Sequence, residues 1–151
     1  MEDKEYYEDY KIGEKFVSPG KTITEADIIN FAADTGDWHP LHTDIEYAKK
    51  SAFKERIAHG LLTLVIGNSL GLRLGQYVMV PKSFIAFYGI DKLRFVGPVK
   101  IGDTIRLEWQ VADLTAKDNS KGVLTYDCKI KNQRNEDVAI YTAKYFVARR
   151  P

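Results

Sequence analysis

The sequence predicts an α+β fold in which an antiparallel β-sheet wraps around one long, central, apolar helix. The segment 61–70 is apolar on nearly every side of a helix, which predicts burial rather than a surface position. This helix begins at Gly60 and is expected to end near Gly71 or Gly75. Three later segments alternate apolar and polar residues with a period of two, as half-buried antiparallel strands do. A sheet that curls around the helix would give it the cover that it needs.

Two further helices are predicted ahead of the apolar one. The first begins after Thr24, which can cap it together with the acid Asp27, and it ends at Gly36. A short second helix is expected over 45–51, with Asp44 near its start.

The chain after Pro81 is predicted to form an antiparallel meander, and a further strand is expected near Phe16. Turns rich in Gly, Pro, Asn and Asp separate its strands. Each strand should bury every second side chain. The predicted buried positions are Ile105, Leu107, Trp109 and Val111, then Leu124, Tyr126, Cys128 and Ile130, and then Ala139, Tyr141, Ala143, Tyr145 and Val147.

Length, charge and composition exclude several classes of protein. The 151 residues, without repeat or linker, suit one domain spanning 1–151. A net charge of +1 with mixed signs gives no footprint for nucleic acid. The acidic N-terminus is not a secretory signal, and no stretch approaches the roughly 20 apolar residues of a membrane helix. Cys128 is the only cysteine, so no intrachain disulfide can form, and a cytoplasmic location is expected.

The chemistry-bearing residues are concentrated just before the apolar helix. All three histidines lie between positions 39 and 59. Asp37 and His42 flank a rigid turn at Pro40, which can hold a carboxylate and an imidazole on one side of a pocket. Such a pair can act as general acid and base. The alternative is that Asp37 caps the turn and His42 is a packing histidine.

Gly60 opens the apolar helix, where free backbone N–H groups and the helix dipole favour negative charge. A carbonyl oxygen that gains charge during a reaction would be stabilised there. The alternative is a glycine that is needed only for tight packing at the start of the helix.

Other polar residues offer weaker candidate sites. His39 and His42 have a His-x-x-His spacing, but the proline between them argues against a shared helix face, so no metal is expected. Asn68 and Ser69 lie on the apolar helix and need partners. Either residue could orient Asp37 or a substrate, or could bond within its own helix.

Two segments resemble a known family. The stretch from Phe31 to His42, FAADTGDWHPLH, is followed by Ala48 and by IAHGL at 57–61. This order is similar to the hydratase motif of the MaoC-like, (R)-specific enoyl-CoA hydratases. The stretch from Leu93 to Val99, LRFVGPV, is similar to the central strand and turn of that family. The resemblance spans about residues 10 to 148.

The resemblance implies a hot-dog fold and a homodimer or larger homo-oligomer without cofactor or metal. Asp37 and His42 would activate water for addition to a 2-enoyl thioester of CoA or acyl carrier protein. The Gly60 N–H would hold the thioester oxygen. His39, His59, Asn68 and Ser69 would line the substrate site, and by the same analogy Tyr77 and Met79 would shape the far end of an acyl tunnel.

This chain departs from the family at two positions. His39 stands where the family usually has Asn, so its imidazole could replace the amide's hydrogen bonds, perturb the pair or mark a different substrate. Asn68 stands near the place of a family Ser. Two other functions remain open: a hot-dog thioesterase, and a non-catalytic subunit that binds acyl thioesters.

Overall fold

The fold was analysed in a computed structural model that describes residues 2–151. Short 3-10 turns at 7–9 and 70–73 accompany the helices and strands. In chain order, the elements are β1 (Lys15–Val17), β2 (Lys21–Thr22), α1 (Glu25–Thr35), α2 (Pro40–Thr43), α3 (Ile45–Lys49), α4 (Gly60–Ser69), β3 (Phe84–Phe95), β4 (Thr104–Ala116), β5 (Lys121–Lys131) and β6 (Asp137–Ala148).

The strands form one antiparallel sheet in the order β1-β4-β5-β6-β3, with β2 paired to the other end of β4. The predicted meander is confirmed for β4, β5 and β6, whereas β3 pairs with β6 and not with β4, the strand that follows it in the chain. Every side chain that was expected to face inward on β4, β5 and β6 is at most 4% exposed. β3 carries the segment LRF at 93–95 and lies at the edge of the sheet, not at its centre. Within residues 2–151, β6 is the one strand that pairs with it.

The apolar helix α4 packs on the inner face of the sheet. Leu62 and Leu64 are buried, and a Cβ on Gly67 would lie 2.4 Å from Ile130 Cδ1, so the helix approaches β5 closely. The expectation that α4 is buried on all sides is wrong for the single chain. Leu61 and Val65 are 57% and 56% exposed, because the sheet covers only one face of the helix.

The capping predictions for α1 are confirmed. Thr24 Oγ1 accepts from the Asp27 N–H, and Asp27 Oδ2 accepts from the Thr24 N–H at 2.8 Å. Gly36 follows the helix in the left-handed region, with φ of 78°. α3 begins after the cap Asp44 and ends at Lys49, two residues earlier than predicted.

The one-turn helix α2 was not predicted. His39 is extended, as expected for the residue before a proline, whereas Pro40 occupies the first position of this helix. α2 therefore carries His42 on a rigid turn directly after α1.

The helices in residues 2–151 are all too short or too polar to cross a membrane.

Candidate active site at the start of α4

Three side chains converge beside the first residue of α4. Asp37 follows the end of α1, His42 lies in α2, and His59 directly precedes Gly60. The carboxylate and imidazole ligand atoms of these three residues all lie within 4.8 Å of one another. The predicted pair of Asp37 and His42 is therefore brought together, and His59 joins it.

A backbone hydrogen bond fixes the orientation of His42. Its Nδ1 lies 2.8 Å from the Ile57 carbonyl oxygen. Because a carbonyl can only accept, Nδ1 carries the proton and Nε2 of the neutral ring keeps a free lone pair. Burial lowers the pKa of His42, and the nearby His59 lowers it further, whereas the Ile57 hydrogen bond and Asp37 raise it. His42 is thus a neutral imidazole at neutral pH, with one nitrogen available as a base.

His59 joins the loop of Asp37 to the start of α4. It is buried, and its Nε2 donates to the Asp37 backbone carbonyl at 2.9 Å. Its ring centroid lies 4.0 Å from that of His42 and 4.8 Å from that of Phe31. Its Nδ1 is buried and has no hydrogen-bond partner in residues 2–151. Through these contacts, His59 links the loop of Asp37 to the His42 ring and to the start of α4.

The Asp37 side chain is exposed and also stabilises the turn that carries it. Its Oδ1 accepts from the His39 N–H at 3.3 Å, while its own N–H donates to Thr35 Oγ1. This bond agrees with the alternative that Asp37 orders the turn. It leaves the carboxylate beside His42, so the turn bond and a chemical role are compatible.

His39 caps α2 with its side chain. Its Nδ1 accepts from the Leu41 N–H at 3.1 Å, the bond that an Asn cap would make with its amide oxygen. Its ring lies 5.8 Å from the Tyr47 ring and 6.1 Å from the His42 ring. His39 stands where the family usually has Asn, and the structure favours the interpretation that its imidazole replaces the hydrogen bond of the Asn amide.

Gly60 begins a helix whose N-terminal backbone groups are not capped. In the described residues 2–151, no side chain caps α4, and the first turn of the helix contains no acidic residue. A Cβ on Gly60 would lie 2.8 Å from Phe95 Cε2, so packing alone also requires glycine here. A cavity of about 350 Å³, lined by Gly60, Ile57 and Phe95 among others, adjoins this end. An oxygen that gains negative charge would meet the positive end of the helix dipole there.

Within residues 2–151, the same three side chains form the group that could hold a metal ion. Two nitrogens are already bonded to backbone carbonyls, so the free ligand atoms are His42 Nε2, His59 Nδ1 and the Asp37 carboxylate. His39 lies outside this group. The His-x-x-His spacing noted in the sequence is therefore not the arrangement that the fold makes.

The remaining candidate residues lie at the other end of α4. They line a cavity of about 440 Å³ that includes Asn68, Ser69, Tyr77 and Met79. Met79 is 1% exposed and also belongs to the core. Ser69 donates to the Val65 carbonyl within its own helix, at 2.7 Å.

Asn68 is held by two tyrosines of β6. Its Oδ1 accepts from Tyr141 Oη at 2.7 Å, and its Nδ2 donates to Tyr145 Oη at 3.1 Å. Neither Asn68 nor Ser69 bonds to Asp37 in residues 2–151. Sequence analysis placed both tyrosines in the core but missed these contacts. The signal was there, because two buried phenols on one strand face need partners.

Comparison with known proteins agrees with this architecture. Residues 9–133 match the family model described as a MaoC-like domain. The chain is 39% identical over 114 residues to the MaoC protein of Klebsiella aerogenes, covering 76% of this chain and 32% of that protein. It is 43% identical over 101 residues to an (R)-specific enoyl-CoA hydratase of Rhodospirillum rubrum, covering 66% and 65% respectively. The chain therefore spans less than two thirds of the length of either relative.

Solved structures agree over the whole chain. A monoamine oxidase regulatory protein from Archaeoglobus fulgidus superposes with a TM-score of 0.91 at 40% identity, covering 99% of this chain and 98% of that one. A Mycobacterium tuberculosis protein described as a double hot-dog fold has a TM-score of 0.81 at 17% identity, covering 98% and 45%. The predicted hot-dog fold is confirmed, and the chain belongs to the MaoC-like domain family.

Proposed function

We propose that this protein is a hydratase and dehydratase of 2-enoyl thioesters, with CoA or acyl carrier protein as the thiol. One observation carries the proposal. The Asp37 carboxylate and a neutral His42 with a free Nε2 lie together beside the uncapped start of α4. This arrangement offers an acid–base pair and an oxyanion site at one place.

In the proposed reaction, water adds across the C2=C3 bond and the product is a 3-hydroxyacyl thioester. Asp37 and His42 hold the water and take its proton as its oxygen bonds to C3. The electron pair of the double bond moves toward the thioester oxygen, which the Gly60 N–H stabilises. A proton then returns to C2, so atoms and charge balance. Similarity to the Rhodospirillum rubrum enzyme supports the (R)-configuration at C3.

The test is hydration of crotonyl-CoA by purified protein, followed as loss of enoyl absorbance, with a thiol reagent in parallel. The proposal expects absorbance loss without thiol release. Thiol release instead would identify a thioesterase. Saturable binding of acyl-CoA without either reaction would identify a non-catalytic binding subunit.

We also propose that two copies pair through the edge strand β3. Its apolar side chains are exposed, including Ile85 at 51% and Tyr88 at 52%, as are Leu61 and Val65 on α4. An exposed apolar sheet edge favours pairing with another strand. We expect sedimentation of the protein as a dimer, shifted toward a monomer by Ile85→Lys. A wild-type monomer at micromolar concentration would contradict this assembly.

A further inference from the structure

The cavity at the C-terminal end of α4 contains an unusual polar group. Thr63, Asn68 and Ser69 are the polar side chains of α4, and half-buried Asn68 faces the sheet near the C-terminal end of the helix. Asn68 and Tyr145 both line the cavity of about 440 Å³, whereas Tyr141 does not. Within the cavity, Asn68 and Tyr145 are bonded to each other, and Asn68 is also bonded to Tyr141 behind them; Ser69, Gln76, Tyr77 and Lys82 add further polar groups to the lining.

A count of donors and acceptors leaves one hydroxyl proton unused. Tyr141 donates to Asn68 Oδ1, and Asn68 Nδ2 donates to Tyr145 Oη. Tyr145 thus acts as the acceptor, and its own O–H makes no hydrogen bond in residues 2–151. Turning the amide over would only exchange the roles of the two tyrosines, because an amide has one donating and one accepting end. The orientation in the structure leaves the unpaired O–H on Tyr145, which lines the cavity, whereas the turned-over amide would leave it on Tyr141, which does not.

The surroundings of Tyr145 give this donor an apolar setting. Tyr145 is 4% exposed, and its ring centroid lies 4.9 Å from that of Phe87 and 6.3 Å from that of Phe84. Burial raises the pKa of Tyr145 to about 12, so the proton stays on its hydroxyl at neutral pH. A buried donor without an acceptor is costly, and a ligand that supplies an acceptor would relieve that cost.

The rim of the cavity adds a positive charge. Lys82 lines the cavity, and its ammonium lies 5.7 Å from the centroid of the Tyr77 ring. A donor in the interior and a cation at the rim both favour an oxygen acceptor over a plain hydrocarbon tail.

The cavity lies where the far part of a substrate would reach. Gly60 and Asn68 are eight residues apart on α4, which corresponds to about 12 Å along the helix. An acyl chain that extends along α4 from a thioester at Gly60 would place its distal carbons beside Asn68 and Tyr145.

We propose that this cavity binds a hydrogen-bond-accepting oxygen on the distal acyl chain, through the free O–H of the Tyr141–Asn68–Tyr145 chain. The preferred substrates are then oxygenated 2-enoyl thioesters rather than plain hydrocarbon ones. The inference rests on the proposed hydratase function, and it concerns specificity rather than chemistry.

The test compares trans-2-enoyl-CoA thioesters in matched pairs, with and without a keto group at the penultimate carbon, from hexenoyl to dodecenoyl. For each chain length, we take the ratio of kcat/KM for the keto thioester to kcat/KM for the plain thioester. We expect this ratio to peak at the acyl-chain length whose keto group reaches the cavity. In Tyr145→Phe that ratio falls about tenfold at the peak, because one hydrogen bond is lost. A ratio without a peak, or one unchanged in Tyr145→Phe, would overturn the proposal.

Two controls separate this effect from general damage. Tyr6→Phe removes a phenol hydroxyl that lies outside both the cavity and the proposed dimer edge, and it should leave the ratio unchanged. Tyr141→Phe removes the hydroxyl that donates to Asn68 Oδ1. The Asn68 amide can then turn and accept from the Tyr145 O–H, which is no longer free to bind a substrate oxygen. The keto-over-plain ratio should therefore fall although Tyr145 is intact. If Tyr141→Phe kept the wild-type keto-over-plain ratio, the inference that Tyr145 has a free O–H would be contradicted.

A parallel series with a terminal carboxylate identifies which acceptor is bound. A carboxylate preference that Lys82→Met abolishes assigns an anionic tail, whereas a keto preference insensitive to Lys82→Met assigns a neutral one. Crotonyl-CoA, which is too short to reach the cavity, tests the hydratase function separately. If it is not hydrated, calorimetric binding of saturated keto and plain acyl-CoA to wild type and Tyr145→Phe still tests the cavity.

Discussion

The two ends of α4 hold polar groups in different ways. At the N-terminal end, Asp37, His42 and His59 come from loops and short helices, and two of them bond to backbone carbonyls. At the C-terminal end, Asn68 bonds to two tyrosines of a single strand. The first end offers backbone N–H groups, a carboxylate and a base, whereas the second offers one phenol donor in an apolar cavity. We therefore propose that one end of this helix serves the reaction and the other end serves recognition.

The largest expected effect is the loss of turnover when Asp37 or His42, at the N-terminal end of α4, is replaced. Asp37→Asn or His42→Ala should lower kcat by about 10²- to 10⁴-fold on every thioester, because an acid–base group is lost. Tyr145→Phe should leave turnover of crotonyl-CoA unchanged. Asp44→Asn is the matched control, since Asp44 caps α3 and Asn caps equally well. Full activity in Asp37→Asn would remove Asp37 from the reaction.

The next effect concerns Gly60. Gly60→Ala places a methyl group against the Phe95 ring and displaces the first backbone N–H of α4. We expect a fall in kcat of about 10²-fold, similar to the loss of one oxyanion donor. In the double variant Gly60→Ala/Phe95→Leu, the smaller Leu side chain makes room for the methyl group, so thermal stability should recover more than activity does. Equal recovery of both would mean that Gly60 serves packing alone.

The pH profile sharpens the assignment of His42. Burial holds the pKa of His42 below its ordinary 6.5, and a base must be deprotonated to act. As pH falls, the acidic limb of kcat/KM should therefore have its midpoint below pH 6.5. Tyr145→Phe, at the other end of α4, should not move this acidic limb. A midpoint above 6.5 in wild type would contradict the assignment.

The smallest effect tests the cap of α2. His39→Ala removes the acceptor for the Leu41 N–H and should cost about 1 kcal/mol of unfolding free energy. For a chain of this size, that lowers Tm by about 3 °C. His39→Asn keeps an acceptor and should retain both Tm and activity. A large activity change in His39→Asn would instead mark His39 as a substrate contact.

Much of this fold could be predicted because its determinants are local. The alternation on β4, β5 and β6, the Thr24–Asp27 cap and the end of α1 at Gly36 all follow from neighbouring residues. The approach of Asp37 to His42 follows from a rigid turn at Pro40. The exposure of Leu61 and Val65 could not be predicted, because it depends on how much of α4 one sheet covers.

The unpredicted contacts join residues that are distant in sequence. The contact between the His59 and His42 rings requires the segment between them to return to α2. The bonds from Asn68 to Tyr141 and Tyr145 depend on where α4 lies along β6. The residue types alone could not decide between Asn68 and Ser69, since both were polar and adjacent on the helix.

The most direct test of the proposed reaction is the hydration rate of crotonyl-CoA, measured for wild type, Asp37→Asn and Tyr145→Phe at one pH. The account predicts turnover by wild type and Tyr145→Phe and a loss of about 10²-fold or more in Asp37→Asn. Absence of turnover in wild type, or equal turnover in wild type and Asp37→Asn, would contradict it.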